Sequence, residues 1–393
     1  MSPKPAAAEP TNRLPDRLPI AFVVSTLVTG GAERQLQHLI THLDRRHYAP
    51  RLYTLRGLGA IGEELRDAGI PATTRIGPGR PPEPWAPLTL ARALRRDQVR
   101  AVYCLDHTNA VVVAALATWF MPHLPLLVAI HTTGQWGRAS IPRPMRAMLG
   151  RVDRLLSIAE AQKQYLIAHE GIAAEKIDVI RNGIPPLDPP SLPEPQAARA
   201  TLGLPIDAGP VIGILAMLRP EKAHENFLAA AQQLLARLPR AHFLCVGGGP
   251  RQPELEALAT ELGIAAHVHF LGVRDDVPQI LPAFDVSVLA SHPRVETLPL
   301  SQMEAMSLGI PVVATRVGAL HELIEDGVEG ALVPHGDPAA LAEAIYALAA
   351  DPQRLRAAGH AARQRVLREF TADRVARETA ALIKKLARER RAR

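Results

Sequence analysis

Residues 286–318 constrain the fold more than any other part of the chain. An apolar run over residues 286–290 predicts a buried strand, and a polar loop follows it. A helical pattern then covers residues 301–308, and the apolar residues 310–314 predict a second buried strand. This order of strand, loop, helix and strand is the building block of a parallel sheet covered by helices.

Two carboxylates of this segment fall where such sheets bind ligands. Glu296 lies in the loop after the first strand, and Glu304 lies in the helix that follows. Ligands bind at the carboxyl ends of the strands, where helix N-termini also favour phosphate. We therefore expect both side chains to accept hydrogen bonds from sugar or ribose hydroxyls. Two isolated glutamates would instead be a solvated loop residue and a helix-surface charge.

The spacing Glu-x7-Glu, followed by Ala-Met-Ser-Leu-Gly-Ile-Pro-Val-Val-Ala-Thr, resembles the donor-site motif of the glycosyltransferase family 4 enzymes. The resemblance extends over nearly the whole chain. It implies the GT-B fold, with two Rossmann-like, doubly wound α/β domains that face each other across a cleft and a C-terminal helix that crosses back. It also implies a nucleotide-diphosphate sugar donor, UDP- or GDP-linked, and transfer with retention at the anomeric carbon.

Composition agrees with two domains in a reducing compartment. A chain of 393 residues with 47% hydrophobic residues is long enough to bury two cores. Aromatic residues make up only 4%, which argues against nucleic-acid binding by base stacking. Cys104 and Cys245 lie in apolar runs, so we expect buried free thiols. The sequence has no membrane-span run and no signal peptide, which predicts a cytoplasmic protein, soluble or peripheral on the inner membrane face.

Basic residues are concentrated in the first half of the chain. Residues 1–185 carry 23 Lys and Arg against 15 Asp and Glu, whereas residues 186–393 carry 22 against 24. The excess favours an anionic partner, such as a phosphorylated acceptor or an anionic membrane. An Arg- and Ala-rich composition explains it equally well. The basic amphipathic run at residues 136–154 is interpreted as a solvated helix face rather than a membrane surface.

Alternating strand and helix patterns and a Pro-rich break predict the domain limits. Residues 1–17 are rich in Pro and Ala, so we expect a disordered tail. An acceptor-side domain at 18–184 is followed by a stiff linker at 185–195, which contains six prolines. The donor domain is expected at 196–366, and a crossover helix with a basic tail at 367–393.

Candidate residues of the first domain follow predicted strands. Gly30 and Gly31 let a backbone approach a ligand beside a helix N-terminus, although they lack the three-glycine spacing of a dinucleotide site. His131 places an imidazole at a carboxyl strand end, and His107 is a weaker candidate of the same kind. By the resemblance, the two glycines face the donor diphosphate and the acceptor, and His131 approaches the transferred sugar and the leaving group.

Candidate cations of the second domain lie between a predicted strand at 211–215 and the next helix. Cations in such a loop add to the helix dipole and can hold a diphosphate leaving group. The resemblance carries the diphosphate role directly to Lys222. Met217 stands where the family commonly has Arg, so Arg219 is assigned as a substitute.

Further donor contacts are implied by the resemblance. Gly248 lies in a strand-end glycine loop, and Val273 corresponds to the segment that meets the nucleotide base. Thr297 replaces a common Gly, and the following Pro299 has no amide hydrogen. Donation to the donor phosphate or sugar therefore falls to the backbone amides of Leu298 and Leu300. On this interpretation Glu304 binds the ribose and Glu296 binds the transferred sugar.

The adjacent residues Asp275 and Asp276 permit either a metal site or the N-terminal charges of a short helix, and the helix is favoured. We therefore expect no metal cofactor. The predicted function is hexosyl transfer to a glycan or lipid-linked acceptor in bacterial polysaccharide, lipopolysaccharide or glycolipid synthesis. The alternatives are a sugar-nucleotide epimerase of the same fold and a catalytically idle partner subunit, which Met217 and Thr297 favour.

Overall fold

The structure is a computed structural model that describes residues 17–28, 30–77, 83–133, 143–293 and 296–392. The described residues divide into two compact units. One unit contains residues 17–130, 143–156 and 376–392, and the other contains residues 131–133 and 157–375. The predicted disorder of residues 1–16 and the first part of the basic run, residues 136–142, lie outside the described residues. The predicted domain limits stay predictions.

Among the described residues, the first sheet has seven strands. They are β1 (Leu18–Val24), β2 (Tyr48–Thr54), β3 (Ala72–Thr73), β4 (Ala101–Leu105), β5 (Leu126–Ile130), β6 (Arg154–Ser157) and β7 (Ile177–Val179). Their order is β3-β2-β1-β4-β5-β6-β7, and β1 pairs in parallel with both β2 and β4. Every residue of β4 and β5 is buried, because helices cover both faces of such a sheet.

The helices before residue 180 are α1 (Gly31–His42), α2 (Ala60–Asp67), α3 (Ala86–Arg96), α4 (Thr108–Trp119), α5 (Arg143–Arg151) and α6 (Glu160–Glu170). In α5, Met145 and Leu149 are buried, so its apolar side packs in the core. Arg151 is also nearly buried, and its guanidinium donates to the carbonyl oxygens of Thr118 and Leu124 at the end of α4. Arg151 therefore caps a neighbouring helix and is not part of a solvated basic face.

The second sheet has six strands within the described ranges. They are β8 (Val211–Leu215), β9 (His242–Val246), β10 (Val268–Gly272), β11 (Val286–Leu289), β12 (Val312–Thr315) and β13 (Gly330–Val333). Their order is β10-β9-β8-β11-β12-β13, and neighbouring strands are parallel. Both sheets contain the doubly wound order 3-2-1-4-5-6, which confirms the predicted fold class. Each sheet changes winding direction at one switch point, between β1 and β4 or between β8 and β11.

The later helices are α7 (Pro195–Thr201), α8 (His224–Leu235), α9 (Gln252–Glu261), α10 (Val277–Ile280), α11 (Leu300–Ser307), α12 (Leu320–Leu323), α13 (Pro338–Ala349), α14 (Pro352–Glu369) and α15 (Ala372–Ala392). In the second unit α8 packs against α13, and α11 packs against α14. Their apolar faces belong to two separate core clusters. The helix α15 belongs to the first unit from residue 376 onward, and near its end Arg390 Nε donates to Asp153 Oδ1 at 2.8 Å.

Both cysteines are buried and unpaired, as predicted, and burial raises the pKa of each thiol. No helix among the described residues is both long and apolar enough to cross a bilayer.

Candidate active site

A tight turn after β8 carries the predicted cations. Residues Pro220–Lys222 form a single 3-10 turn, and α8 begins immediately afterwards at His224. Ala223 joins the two in a left-handed conformation, with φ of 48°. A residue with a Cβ atom costs about 1–2 kcal/mol in this conformation, and such strain is concentrated at functional sites. The backbone therefore places Lys222 directly before the N-terminus of α8.

Lys222 and Glu296 form an ion pair, although they are far apart in sequence. Lys222 Nζ contacts Glu296 Oε1, and Ser291 Oγ donates to the same oxygen at 2.7 Å. Glu296 is only 7% exposed. A carboxylate this buried needs both a counter-ion and further hydrogen bonds. The structure thus joins two predicted site residues and adds Ser291, which sequence reasoning missed.

Backbone contacts fix the loop that carries Glu296. The His292 amide donates to the Glu221 carbonyl at 2.9 Å, which ties this loop to the turn after β8. Gly318 lies behind Glu296 with φ of 54°, and a Cβ atom there would be 1.6 Å from the Glu296 carbonyl oxygen. Only glycine fits at that position. The carboxylate is therefore held from both sides by main chain.

The helix α11 begins next to this loop. Pro299 is its N-cap, and the amides of its first turn have no partner within the helix. The side chains of Leu298 and Leu300 are buried, so only their backbone amides are suited to contact a ligand. The carbonyl oxygen of Leu298 accepts a hydrogen bond from Asn182 Nδ2 at 3.0 Å. Glu304 lies one turn into α11 and is half-buried.

The predicted base-side residues, Gly248 and Val273, lie together. A Cβ atom at Gly248 would be 2.7 Å from Val273 Cγ2, and Val273 is 76% exposed. The flanking glycines serve packing instead, because a Cβ atom at Gly247 or Gly249 would strike a carbonyl oxygen of the preceding strand-end loop. Val273 thus offers an exposed apolar surface, and its contact with a base stays a prediction.

Arg219 is less well defined than Lys222. Its side chain is exposed, and the described residues provide its guanidinium with no hydrogen-bond or ion-pair partner. Met217 is 46% exposed in the same loop. The role of Arg219 as a second cation therefore stays a prediction.

His224 was not predicted. It is fully buried, and neither ring nitrogen has a hydrogen-bond partner among the residues that the structure describes. Burial lowers the pKa of His224 to about 4; Glu225 opposes this shift, whereas Arg251 and Lys222 add to it. The imidazole is therefore neutral at physiological pH and adds no charge beneath the cationic turn.

The first unit contains a second pair of one carboxylate and one basic side chain, Glu33 and His107. The Ser25 amide donates to His107 Nδ1 at 3.3 Å, and His107 Nε2 lies 3.4 Å from Glu33 Oε1. Ser25 follows β1 and His107 follows β4, so the pair sits at the switch point of this sheet. Sequence reasoning ranked His107 low and missed Glu33.

The two glycines at the start of α1 differ in what surrounds them. A Cβ atom at Gly30 would be 2.3 Å from Glu33 Oε2, whereas one at Gly31 would meet nothing within 4 Å. Gly30 is the N-cap of α1, and Glu33 occupies the third position of that helix. An acidic residue at this position commonly folds back on the N-cap, and this spacing was the available signal. His131 is half-buried after β5, and its predicted role stays a prediction.

Asp276 is the N-cap of α10, as predicted, but its carboxylate pairs with Arg274 at 2.6 Å instead of the helix amides. The described part of the chain contains no group of three metal-ligating side chains. Independence from metal stays a prediction.

The two parallel, doubly wound sheets agree with the GT-B type of α/β fold that the family resemblance implies, and in the second sheet the half-buried Lys222 pairs with the buried Glu296. Family models confirm this class: Glycosyltransferase Family 4 matches residues 29–186, and Glycosyl transferases group 1 matches residues 209–351. The chain belongs to the family 4 type of glycosyltransferases.

This chain matches its curated relatives over only part of their length. The chain is 32% identical over 267 residues to D-inositol 3-phosphate glycosyltransferase 2 of Catenulispora acidiphila, which covers 61% of this chain and 62% of that protein. It is 31% identical over 229 residues to 2-deoxystreptamine glucosyltransferase of Streptomyces kanamyceticus, covering 57% and 58%. The chain thus spans less than two thirds of these relatives.

Solved structures match over almost the whole chain. HepE of Anabaena in complex with UDP has a TM-score of 0.79 at 24% identity and covers 94% of this chain and 100% of that chain. HepE in complex with UDP-glucose gives the same values. At this level of identity the match shows the fold.

Proposed function

We propose that the protein transfers a hexose from a UDP-linked sugar to a hydroxyl group of a polyhydroxylated acceptor, with retention at the anomeric carbon. The observation that carries this proposal is the Lys222–Glu296 pair, held by Ser291 at the switch point of the second sheet. A cation there stabilises charge on a leaving diphosphate, which is greater in the transition state than in the ground state.

Each donor contact has a residue with suited chemistry. Lys222 binds the diphosphate beside the N-terminus of α8, and Glu296 accepts hydrogen bonds from hydroxyls of the transferred sugar. Glu304 binds the ribose, and the exposed side chain of Val273 packs on the base. Before the donor binds, Lys222 and Glu296 neutralise each other. On binding, Lys222 turns toward phosphate, and Glu296 becomes a free acceptor for hydroxyls.

The comparisons support the choice of donor and the chemistry of the acceptor. HepE was solved with UDP and with UDP-glucose, which favours a UDP-linked sugar here. The names of the curated relatives specify inositol 3-phosphate and 2-deoxystreptamine, both hydroxylated rings. We extend this to an acceptor ring that is part of a glycan or a lipid-linked precursor. Such an acceptor fits a cytoplasmic enzyme in peripheral contact with an anionic membrane.

Donor turnover without acceptor tests the proposal. The protein is incubated with UDP- and GDP-linked sugars, slow donor hydrolysis is followed by mass spectrometry, and anomers and epimers, which have equal mass, are distinguished by proton NMR. We expect hydrolysis of a UDP-sugar that persists in EDTA and gives the α-anomer from an α-linked donor. Loss of activity in EDTA with rescue by Mn²⁺ contradicts metal independence, and an inverted anomer contradicts retention. Formation of an epimeric nucleotide sugar would reveal an epimerase.

One observation favours an idle partner subunit as the second candidate. The exposed Met217 occupies the position where the family commonly has Arg. Arg219 has no partner among the described residues that would position it. On this alternative the protein binds a nucleotide sugar but turns over no donor. Nucleotide binding without hydrolysis of any UDP- or GDP-sugar would favour it.

A further inference from the structure

The carboxyl end of α4 exposes three large apolar side chains. Leu116 is 38% exposed, Trp119 is 51% exposed and Phe120 is 77% exposed. Positions three and four residues apart share one helix face, so these side chains form a single surface, named here the α4 patch. An exposed cluster of this kind marks an interaction site more often than an isolated apolar residue does.

The patch is firmly supported from beneath. The preceding turns of α4 are almost entirely buried, including Val113, Ala114 and Ala117. Arg151 holds the helix end by donating to the carbonyl oxygens of Thr118 and Leu124. The aromatic side chains therefore project from a rigid helix end.

Cations surround the patch. His123 lies three residues after Phe120, and loss of solvent around its ring, followed by the charges of Arg100, Arg95 and Arg151, lowers the pKa of His123. The chain trace agrees: the Val102 amide donates to the Pro125 carbonyl at 2.9 Å, which places Arg100 at the same sheet edge as the residues after α4, and α3, which carries Arg95, packs against α4. Arg95 is exposed and Arg100 is half-buried, and neither has an ion-pair partner in the described ranges.

The nearby acidic groups are already neutralised. Asp97 accepts from Arg96 Nε at 2.9 Å, and Asp153 is paired with both Arg151 and Arg390. The surroundings of the patch therefore carry a net positive charge. Aromatic side chains flanked by arginines match the interface of an anionic bilayer, where rings lie at headgroup depth and guanidinium groups meet phosphates.

We propose that the α4 patch, with Arg95 and Arg100, docks the protein on an anionic lipid surface. This inference rests on the membrane contact of the proposed function and places it on a particular helix end. The basic run at residues 136–154 contributes Arg151 to this helix end, and among its described apolar side chains Met145 and Leu149 are buried and Met148 is half-buried. Docking here requires neither donor nor acceptor.

Vesicle binding by the full chain tests the assignment. The probes are phosphatidylcholine vesicles with and without phosphatidylglycerol. We expect the wild type to bind the anionic vesicles, and Trp119→Ser/Phe120→Ser to bind them about tenfold more weakly or worse, because each apolar ring and each nearby cation adds to the affinity. Arg95→Ser/Arg100→Ser should lose most of the preference for anionic lipid.

A matched control lies at the opposite end of α3. Trp85 and Leu88 are 58% and 56% exposed, yet they precede Arg95 by two turns or more. Trp85→Ser/Leu88→Ser should bind vesicles as the wild type does. All substituted residues are exposed or half-buried, so folding is retained. Donor hydrolysis in solution should be unchanged in the Trp119→Ser/Phe120→Ser variant, which separates docking from catalysis.

Three outcomes overturn the assignment. Equal vesicle binding by wild type and Trp119→Ser/Phe120→Ser would show that the α4 patch is not the docking site, although the protein still binds membrane. A wild type that binds no anionic vesicles would contradict both docking by the α4 patch and the membrane contact, whether or not it hydrolyses donor. A dimer in size-exclusion chromatography that Trp119→Ser/Phe120→Ser dissociates, without vesicle binding, assigns the patch to a second copy of the chain.

Discussion

Each unit contains one carboxylate paired with one basic side chain at the switch point of its own sheet. The two pairs differ in charge and in burial. In the second unit, the nearly buried Glu296 pairs with Lys222, which follows β8. In the first unit, the half-buried Glu33 lies 3.4 Å from His107, which follows β4. The topology is shared, but the chemistry is not.

The difference separates two kinds of ligand group. Lys222 is a fixed cation, which suits a diphosphate. His107 accepts the Ser25 amide at Nδ1, so its remaining proton is on Nε2 and points to Glu33. A neutral imidazole and a carboxylate together can donate to and accept from a hydroxyl group. We infer that the second switch point serves the donor and the first serves the acceptor.

Removing the cation of Lys222 should have the largest effect of the substitutions considered. Lys222→Ala should lower donor turnover roughly a hundredfold or more, about 2–4 kcal/mol, while nucleotide affinity changes little. Turnover and nucleotide binding are measured separately. Because the variant leaves a buried carboxylate unpaired, Lys222→Ala/Glu296→Gln serves as a control for folding. Wild-type turnover in Lys222→Ala would remove its catalytic role.

The buried His224 sharpens the contrast with the partnered His107. Since its pKa is about 4 in the fold and 6.5 for a histidine side chain free in solution, the unfolded chain binds a proton first as pH falls. The free energy of unfolding is therefore not lowered by His224 above about pH 6.5, and it falls progressively as the pH drops toward 4. Between pH 7 and pH 5 the wild type should lose about 2 kcal/mol more than His224→Leu.

Urea denaturation at the two pH values measures this difference. His242 and His269, whose pKa values are also lowered by burial, remain in both proteins, so their contributions cancel. Parallel pH profiles of the two proteins would show that His224 is not kept neutral.

Substitutions of the two glycines at the start of α1 test the acceptor side. Gly30→Ala should displace the flexible Glu33 carboxylate from His107 without disrupting the helix, and lower acceptor-dependent transfer about tenfold. Gly31→Ala should have little effect on transfer, because its added Cβ atom meets nothing within 4 Å. Transfer is compared with acceptor-free donor hydrolysis, which both variants should retain. Equal transfer by both variants would argue against a role for Glu33.

The smallest expected effect concerns the strained link before α8. Ala223→Gly relieves the left-handed strain but increases the freedom of the unfolded chain, so stability should rise by no more than about 1 kcal/mol. Ala236→Gly, at the C-cap of the same helix with φ of −64°, should instead destabilise. Denaturation midpoints of the two variants decide between strain and simple flexibility.

Continuous apolar runs made the sheets predictable. The mainly apolar runs at residues 101–105, 211–215 and 242–246 predict strands, and β4, β8 and β9 have these limits. The helical pattern after the cationic turn extends to about Leu238, but α8 ends at Leu235. Leu238 precedes Pro239, which disfavours helical geometry at that position.

The candidate site was predictable in kind but not in its contacts. Lys222 and Glu296 were each identified from local pattern, yet their pairing across 74 positions depends on which strands lie side by side. Ser291 lies only five positions from Glu296, whereas Glu33 lies 74 positions from His107, and both are of residue types that occur everywhere on surfaces. His224 could not be found from sequence, because a histidine after a cationic turn gives no signal of complete burial.

A mutational scan of this protein would give Gly318 the profile of a catalytic residue, although it carries no functional group. Every side chain there would strike the carbonyl oxygen of Glu296, and the positive φ would add backbone strain. The loop would then have to shift, and the carboxylate would leave both Lys222 and Ser291. Tolerance to substitution at this position therefore reports the space behind the Glu296 carbonyl and not any chemistry of residue 318 itself.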